Sequence, residues 1–102
     1  MEKMGRIALL YDIYGALLTE KQARVLAMFY EEDLSLGEIA EILAVSRQAV
    51  YDMIKRSEEL LEKYEAKMHI LAKETQMRTL LADAITVGNW GLVAEALEKL
   101  NQ

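Results

Sequence analysis

Residues 35–56, SLGEIAEILAVSRQAVYDMIKR, decide how this chain folds. Ser35 and Glu38 form an S-x-x-E capping box, in which each side chain satisfies an orphan backbone amide of an opening helical turn. The apolar residues behind it, Leu36, Ile39, Ala40 and Leu43, recur at spacings of three and four and so share one helix face. Ala44-Val45-Ser46 makes a corner: Val45 points back into the angle, and Ser46 is a good N-cap for a second helix. That helix buries Val50, Met53 and Ile54 and turns Ser46, Arg47, Gln48, Tyr51, Asp52 and Lys55 outward. Two helices crossing at about 90–120° need a small side chain where they approach, and Ala40 supplies it. The pattern is a helix-turn-helix. One position departs from its usual form: the turn residue that favours φ > 0 is Ala44 rather than Gly or Asn. Alanine in the left-handed region costs about 1–2 kcal/mol, which predicts a somewhat reshaped turn.

Outward from this motif, residues 3–18 place Ile7, Leu10, Tyr14 and Leu17 at helical spacing and predict a first helix. Thr19 and Gln22 form a second capping box. It opens a helix reaching about Tyr30, with Ala23, Leu26, Ala27 and Tyr30 inward. Glu31-Glu32-Asp33 ends it. These three acids read as a solvated loop, because no second acidic cluster completes a cation's ligand shell.

After the second motif helix nothing stops the chain, since no Gly or Pro occurs between Leu43 and Val87. Val50, Ile54, Ser57, Leu61, Tyr64, Met68, Leu71 and Thr75 alternate at spacings of four and three, the seam along which two helices supercoil. A dimer through Leu61, Tyr64, Met68 and Leu71 is one reading. An amphipathic face packed within the same chain is the other. The domain organisation that follows is a helix-turn-helix domain at 1–57 and a helical oligomerisation extension at 58–102, continuous with the recognition helix. Gly88-Asn89 supplies a C-terminal glycine and an N-cap. A last helix then carries Val93, Leu97 and Leu100 on one side, and Trp90 at the corner reads as a packing anchor.

At 102 residues, 53% hydrophobic and 28% charged, with five glycines and no proline, the chain is an all-α bundle with enough apolar content for a core. No cysteine is present, which excludes disulfides and thiolate metal sites. The run Ile7-Ala8-Leu9-Leu10 gives way to Tyr11 and Asp12, too short for a secretory core. No stretch approaches the roughly 20 apolar residues of a membrane span. A cytoplasmic protein is expected. There is no glycine-rich phosphate loop, no H-E-x-x-H and no nucleophile elbow. The lone histidine, His69, has no ligand or base pattern around it. No catalytic residue, metal site or cofactor is predicted.

The net charge is −5, whereas nucleic-acid-binding domains are usually basic. The charge is uneven. Residues 46–57 hold Arg47, Lys55 and Arg56 against Asp52, a local +2 that leaves −7 elsewhere. Arg47 and Gln48 sit where a helix tip meets base edges, suiting guanine and adenine through bidentate hydrogen bonds, and otherwise form an ordinary solvated first turn. Tyr51 stacks on a base or is half-buried. Lys55 and Arg56 clamp phosphate or simply keep the face soluble. Asp52 is placed to pair with Arg56, four residues on.

The run LTEKQARVLAMFYEEDLSLGEIAEILAVSRQAVYDMIKR, residues 18–56, resembles region 4 of bacterial sigma factors. With residues 4–18 before it and LLEKYEAKM after it, the chain more closely resembles the small YlxM family of helix-turn-helix proteins. LTEKQ, FYEEDLSLGEIAE and VSRQAVYD are the specific phrases. The resemblance covers roughly residues 5–70 and departs at Ala23-Arg24 and Ala44. It implies a cytoplasmic bacterial regulatory protein of the signal recognition particle pathway, with the targeting GTPase or the particle RNA as partner. Sigma-like readout would place Arg47, Gln48 and Tyr51 toward a groove and Ser35 near a phosphate-facing helix start. The resulting candidate nucleic-acid residues are Ser35, Ser46, Arg47, Gln48, Tyr51, Lys55 and Arg56. The alternative is a sequence-specific DNA-binding transcriptional regulator, a dimer whose recognition helices meet half-sites about 34 Å apart.

Overall fold

The computed structural model of the protein describes residues 2–88 and 90–100, with only the backbone of Val87. Six α-helices account for nearly all of it, and no strand occurs among the described residues: α1 (Lys3–Tyr14), α2 (Glu20–Tyr30), α3 (Leu36–Leu43), α4 (Arg47–Met68), α5 (Ile70–Val87) and α6 (Trp90–Leu100). The chain divides into two compact units, Met1–Lys67 and Met68–Gln102, where the residue pattern puts its boundary after residue 57.

Both capping boxes form. At α2 the Gln22 amide donates to Thr19 Oγ1 at 3.2 Å, and Gln22 Oε1 accepts from the Thr19 amide at 2.9 Å. At α3 the Glu38 amide donates to Ser35 Oγ at 3.1 Å, and Glu38 Oε1 accepts from the Ser35 amide at 2.9 Å. That amide bond, then the Ser35 hydroxyl, holds the Glu38 carboxyl below its ordinary range.

The corner after α3 is not reshaped. Ala44 adopts φ 55 and ψ 46, the left-handed conformation the motif asks for, and donates its amide to the carbonyls of Ala40 and Glu41. Val45 closes the turn with a 3.1 Å bond to the Ala40 carbonyl. The alanine strain is tolerated because these bonds satisfy carbonyls that would otherwise be orphaned at the helix end. Ala44 is exposed. Ala44→Gly is therefore expected to raise unfolding stability by about 1 kcal/mol, read as a higher urea midpoint at unchanged slope.

Two register expectations change in the first unit. The first helix ends at Tyr14, and Gly15–Leu17 tightens into a 3₁₀ turn. Such a turn advances the chain faster than an α-helix. Leu17 consequently lies 52% exposed, and Leu18 takes the inward place. In α2 the core face centres on Val25, Leu26 and Met28, while Ala23, Ala27 and Tyr30 are only half-buried.

The recognition helix buries Val50 and Ile54 as expected, with Met53 half-buried. Its second half is covered by α1. Lys3 Nζ lies 3.3 Å from Glu58, Arg6 makes a two-pronged pair with Glu62 at 2.7 Å on each arm, and the Tyr14 hydroxyl donates to Glu65 at 2.7 Å. Partners ascend together along both helices, so α1 and α4 run parallel. The rings of Tyr14 and Tyr64 approach to 6.1 Å between them. Ile7, Leu10 and Tyr14 of α1 and Ser57 and Leu61 of α4 are all buried. Ser57, the weak point of a supercoil seam, is a good residue here: it is small, and its hydroxyl donates to the Met53 carbonyl at 2.7 Å.

The long seam accordingly needs correction as a dimer interface. Leu61 has no exposed surface, because it belongs to the chain's own core. Tyr64 is half-buried, Met68 is exposed, and Leu71 is buried on a different helix. The rod does not run to Thr75: α4 stops at Met68, and His69 takes φ 57. Histidine is among the few non-glycine residues enriched in that region. Strong helix formers lie on both sides, so propensity does not set this stop.

In the second unit α5 and α6 pack on each other across a turn at Gly88, whose φ of 64 suits glycine. The N-cap reading of Asn89 lies outside the described residues. Small residues, Ala84 and Ala96, are buried, with Leu92 and Val93 half-buried. Leu97 and Leu100 are exposed, and Trp90 is 77% exposed, so it does not anchor the packing of α6 on α5.

The Arg6–Glu62 pair carries a pH signature. The guanidinium holds the Glu62 carboxyl below its ordinary 4.5. A carboxyl depressed by folding adds stability above its unfolded value and loses it as the pH falls through the folded one. Both side chains are around two-fifths exposed, so screening limits the contribution to about 1 kcal/mol at most. Urea midpoints of the wild type and Arg6→Gln should differ at pH 6 and converge well below pH 4.5.

Candidate nucleic-acid interface

Ser46 caps α4, its Oγ accepting from the Ala49 amide at 3.0 Å. The helix therefore starts abruptly, with Arg47 and Gln48 exposed in its first turn. Arg47 and Arg56 make no ion pair among the described residues. A Cβ added at Gly37 would lie 3.8 Å from Arg47 Nε and 3.9 Å from Ser35 Oγ. The guanidinium thus rests against the opening turn of α3, and the structure brings Ser35 and Arg47 together. A positive charge thus lies beside the N-terminus of α3, whose cap is Ser35. Glu38, in the same turn, opposes a second negative charge and keeps the site small.

Along α4, Arg47, Gln48, Tyr51 and Lys55 fall within about 100° of one another, whereas Arg56 lies about 180° from Arg47 and faces elsewhere. Tyr51 is 45% exposed. Lys55 Nζ lies 5.6 Å from its ring centroid, a cation–π distance. The expected Asp52–Arg56 pair does not form. Asp52 instead accepts from the Gln48 amide at 3.0 Å, because that side chain is also four residues away and on its own edge.

Glu58 was not singled out by the sequence pattern. It is buried, accepts from the Tyr30 hydroxyl, and lies 3.3 Å from Lys3 and 3.9 Å from Lys55. Burial first, and then Glu58, push the Tyr30 phenol above its ordinary range. The Lys3 ammonium beside Lys55 pulls the Lys55 ammonium below the usual lysine range, with Glu58 partly offsetting it. Lys3 and Met4 of α1 thereby join the exposed edge of α4. The signal that could have found them is charge spacing: Lys3 and Arg6, one turn apart, face Glu58 and Glu62, also one turn apart.

A helical corner followed by a helix with a free polar edge defines a helix-turn-helix protein. The chain belongs to the UPF0122 family, described as "Putative helix-turn-helix protein, YlxM / p13 like", which matches residues 1–91. A UPF0122 protein of Oceanobacillus iheyensis is 47% identical over 100 residues, 98% of this chain and 95% of the relative. One from Bacillus pumilus is 44% identical over 108 residues, 99% and 98% of the two chains. One from Limosilactobacillus reuteri is 55% identical over 85 residues, 83% and 74%. Among the described residues no group of His, Cys, Asp or Glu is placed to hold a metal ion, and no helix is long and apolar enough to cross a membrane.

Proposed function

We propose that this chain is a regulatory helix-turn-helix protein of the signal recognition particle pathway, acting in the bacterial cytoplasm by gripping the particle RNA and so altering the targeting GTPase bound to it. The observation that carries this reading is the free edge of α4: Arg47, Gln48 and Tyr51 exposed beside Ser35, on a segment of +2 in a chain of −5. The family resemblance supplies the pathway. The edge is short, and with two or three cations in reach of phosphate the affinity should fall with log salt at a slope of only about 2. That fits one local grip on a folded RNA better than an extended track along duplex DNA. Readout of paired DNA half-sites would need a dimer, and Leu61, at the centre of the seam proposed for one, is buried in the core.

The test is association of the purified chain with the particle RNA, with the GTPase and with promoter duplexes, before and after nuclease, together with the GTP hydrolysis rate. Retention of the RNA, its loss on ribonuclease treatment, and a changed hydrolysis rate are expected. Absence of association and an unchanged rate at micromolar protein would end this reading. Preference for a promoter duplex would transfer it to transcription.

A further inference from the structure

Beside the exposed edge of α4 lies a groove of about 380 Å³, walled by Phe29, Tyr30 and Tyr51, with Lys3 and Lys55 at its rim and Glu58 in its floor. We propose that this groove takes one unpaired nucleotide of a bound RNA strand, its base against Phe29 and Tyr51 and its phosphate between Lys3 and Lys55. The inference rests on the RNA-binding reading above and names what the site recognises.

Three observations point the same way. The first is shape: the volume falls in the range of small-ligand clefts, and three rings offer flat apolar faces of the kind unstacked bases occupy. The Phe29 and Tyr30 rings meet edge to face at 5.0 Å, which braces two of the three aromatic walls against each other. The second is charge. Lys3 and Lys55 share the single carboxylate of Glu58, a local sum of +1 that one anion would balance, in a chain that is otherwise acidic. The third is continuity. Tyr51 and Lys55 belong both to the groove and to the edge carrying Arg47, so a strand held at Ser35 and Arg47 reaches the groove one to two turns further along α4. Beyond it, the adjoining surface adds Glu59, which is exposed, and Glu62, which Arg6 already occupies, so among the described residues it offers a continuing backbone no further free cation. The strand therefore ends its contact there, which suits a bulge or loop nucleotide rather than a long duplex.

The experiment uses the full chain and two RNA hairpins that differ only by one unpaired 2-aminopurine nucleotide inserted in the stem, titrated by anisotropy and, for the bulged hairpin, by 2-aminopurine emission. The bulged hairpin should bind roughly tenfold tighter, with emission quenched as the base stacks on a ring. Phe29→Leu, which keeps the position apolar, should abolish that preference while leaving affinity for the paired hairpin unchanged, and Lys3→Gln, at an exposed side chain, should weaken the bulged hairpin more than the paired one. Equal affinity for both hairpins with unchanged emission would overturn the groove assignment and leave RNA binding intact. Failure of both hairpins to bind would remove both readings. Saturable binding of free 2-aminopurine riboside monophosphate as tight as the bulged hairpin would overturn the strand in favour of a free nucleotide.

Discussion

Leu61→Glu should unfold the first unit rather than release monomers from a dimer. Leu61 has no exposed surface, in the half of α4 that α1 covers. Truncating such a leucine typically costs about 2–5 kcal/mol. A carboxylate in its place adds the penalty of an unpaired buried charge, several kcal/mol more, against a total stability of about 5–15 kcal/mol for a domain. Loss of most helical circular dichroism at 25 °C is expected, with Leu61→Ala retaining a cooperative but markedly earlier transition. A variant that stayed fully folded and merely sedimented as a smaller species would mean that Leu61 faces another chain and that the packing of α1 on α4 is wrong.

Arg47→Ala is the change with the largest expected effect on binding. The side chain is exposed and makes no ion pair among the described residues, so thermal stability should stay within about 0.5 kcal/mol of wild type. One charged contact at a base edge is worth about 1–3 kcal/mol, which predicts RNA affinity weakened roughly fivefold to 150-fold. The salt slope should also fall by about 0.7 if the contact is to a single-stranded phosphate. Arg56→Ala is the internal control. It removes the same charge about two and a half turns along the helix and on its opposite side, and should cost little. Equal losses for both variants would indicate a diffuse electrostatic effect instead of a site on one edge.

The distinction between these two arginines could be drawn from helical periodicity alone, as could much of the motif. Capping boxes at Thr19 and Ser35, the Ser46 cap and the buried pair Val50 and Ile54 depend on residues within about one turn of each other, and those local rules carried through to the structure. Where the periodicity was sound but the partner was not, the error was one of destination. The stripe through Ser57 and Leu61 is a true apolar face, yet periodicity states only that a face is buried, not by what. The groove was invisible for the same reason: Lys3 and Met4 stand some fifty residues from the helix edge they complete.

Order along the chain thus settled the all-α class, the two-helix corner and the outward turn of Arg47, Gln48 and Tyr51, because short-range hydrogen bonds and side-chain spacing dictate them. Three things were left to the folded molecule: the cover that α1 lays on α4, the end of that helix at His69, and the meeting of Lys3, Tyr30 and Lys55 around Glu58. Each depends on contacts between distant segments or on a backbone turn that no local preference enforces. Only the packing of α1 and α2 on α4 adds Lys3 and Tyr30 to the Lys55–Glu58 pair that one helix already sets three residues apart.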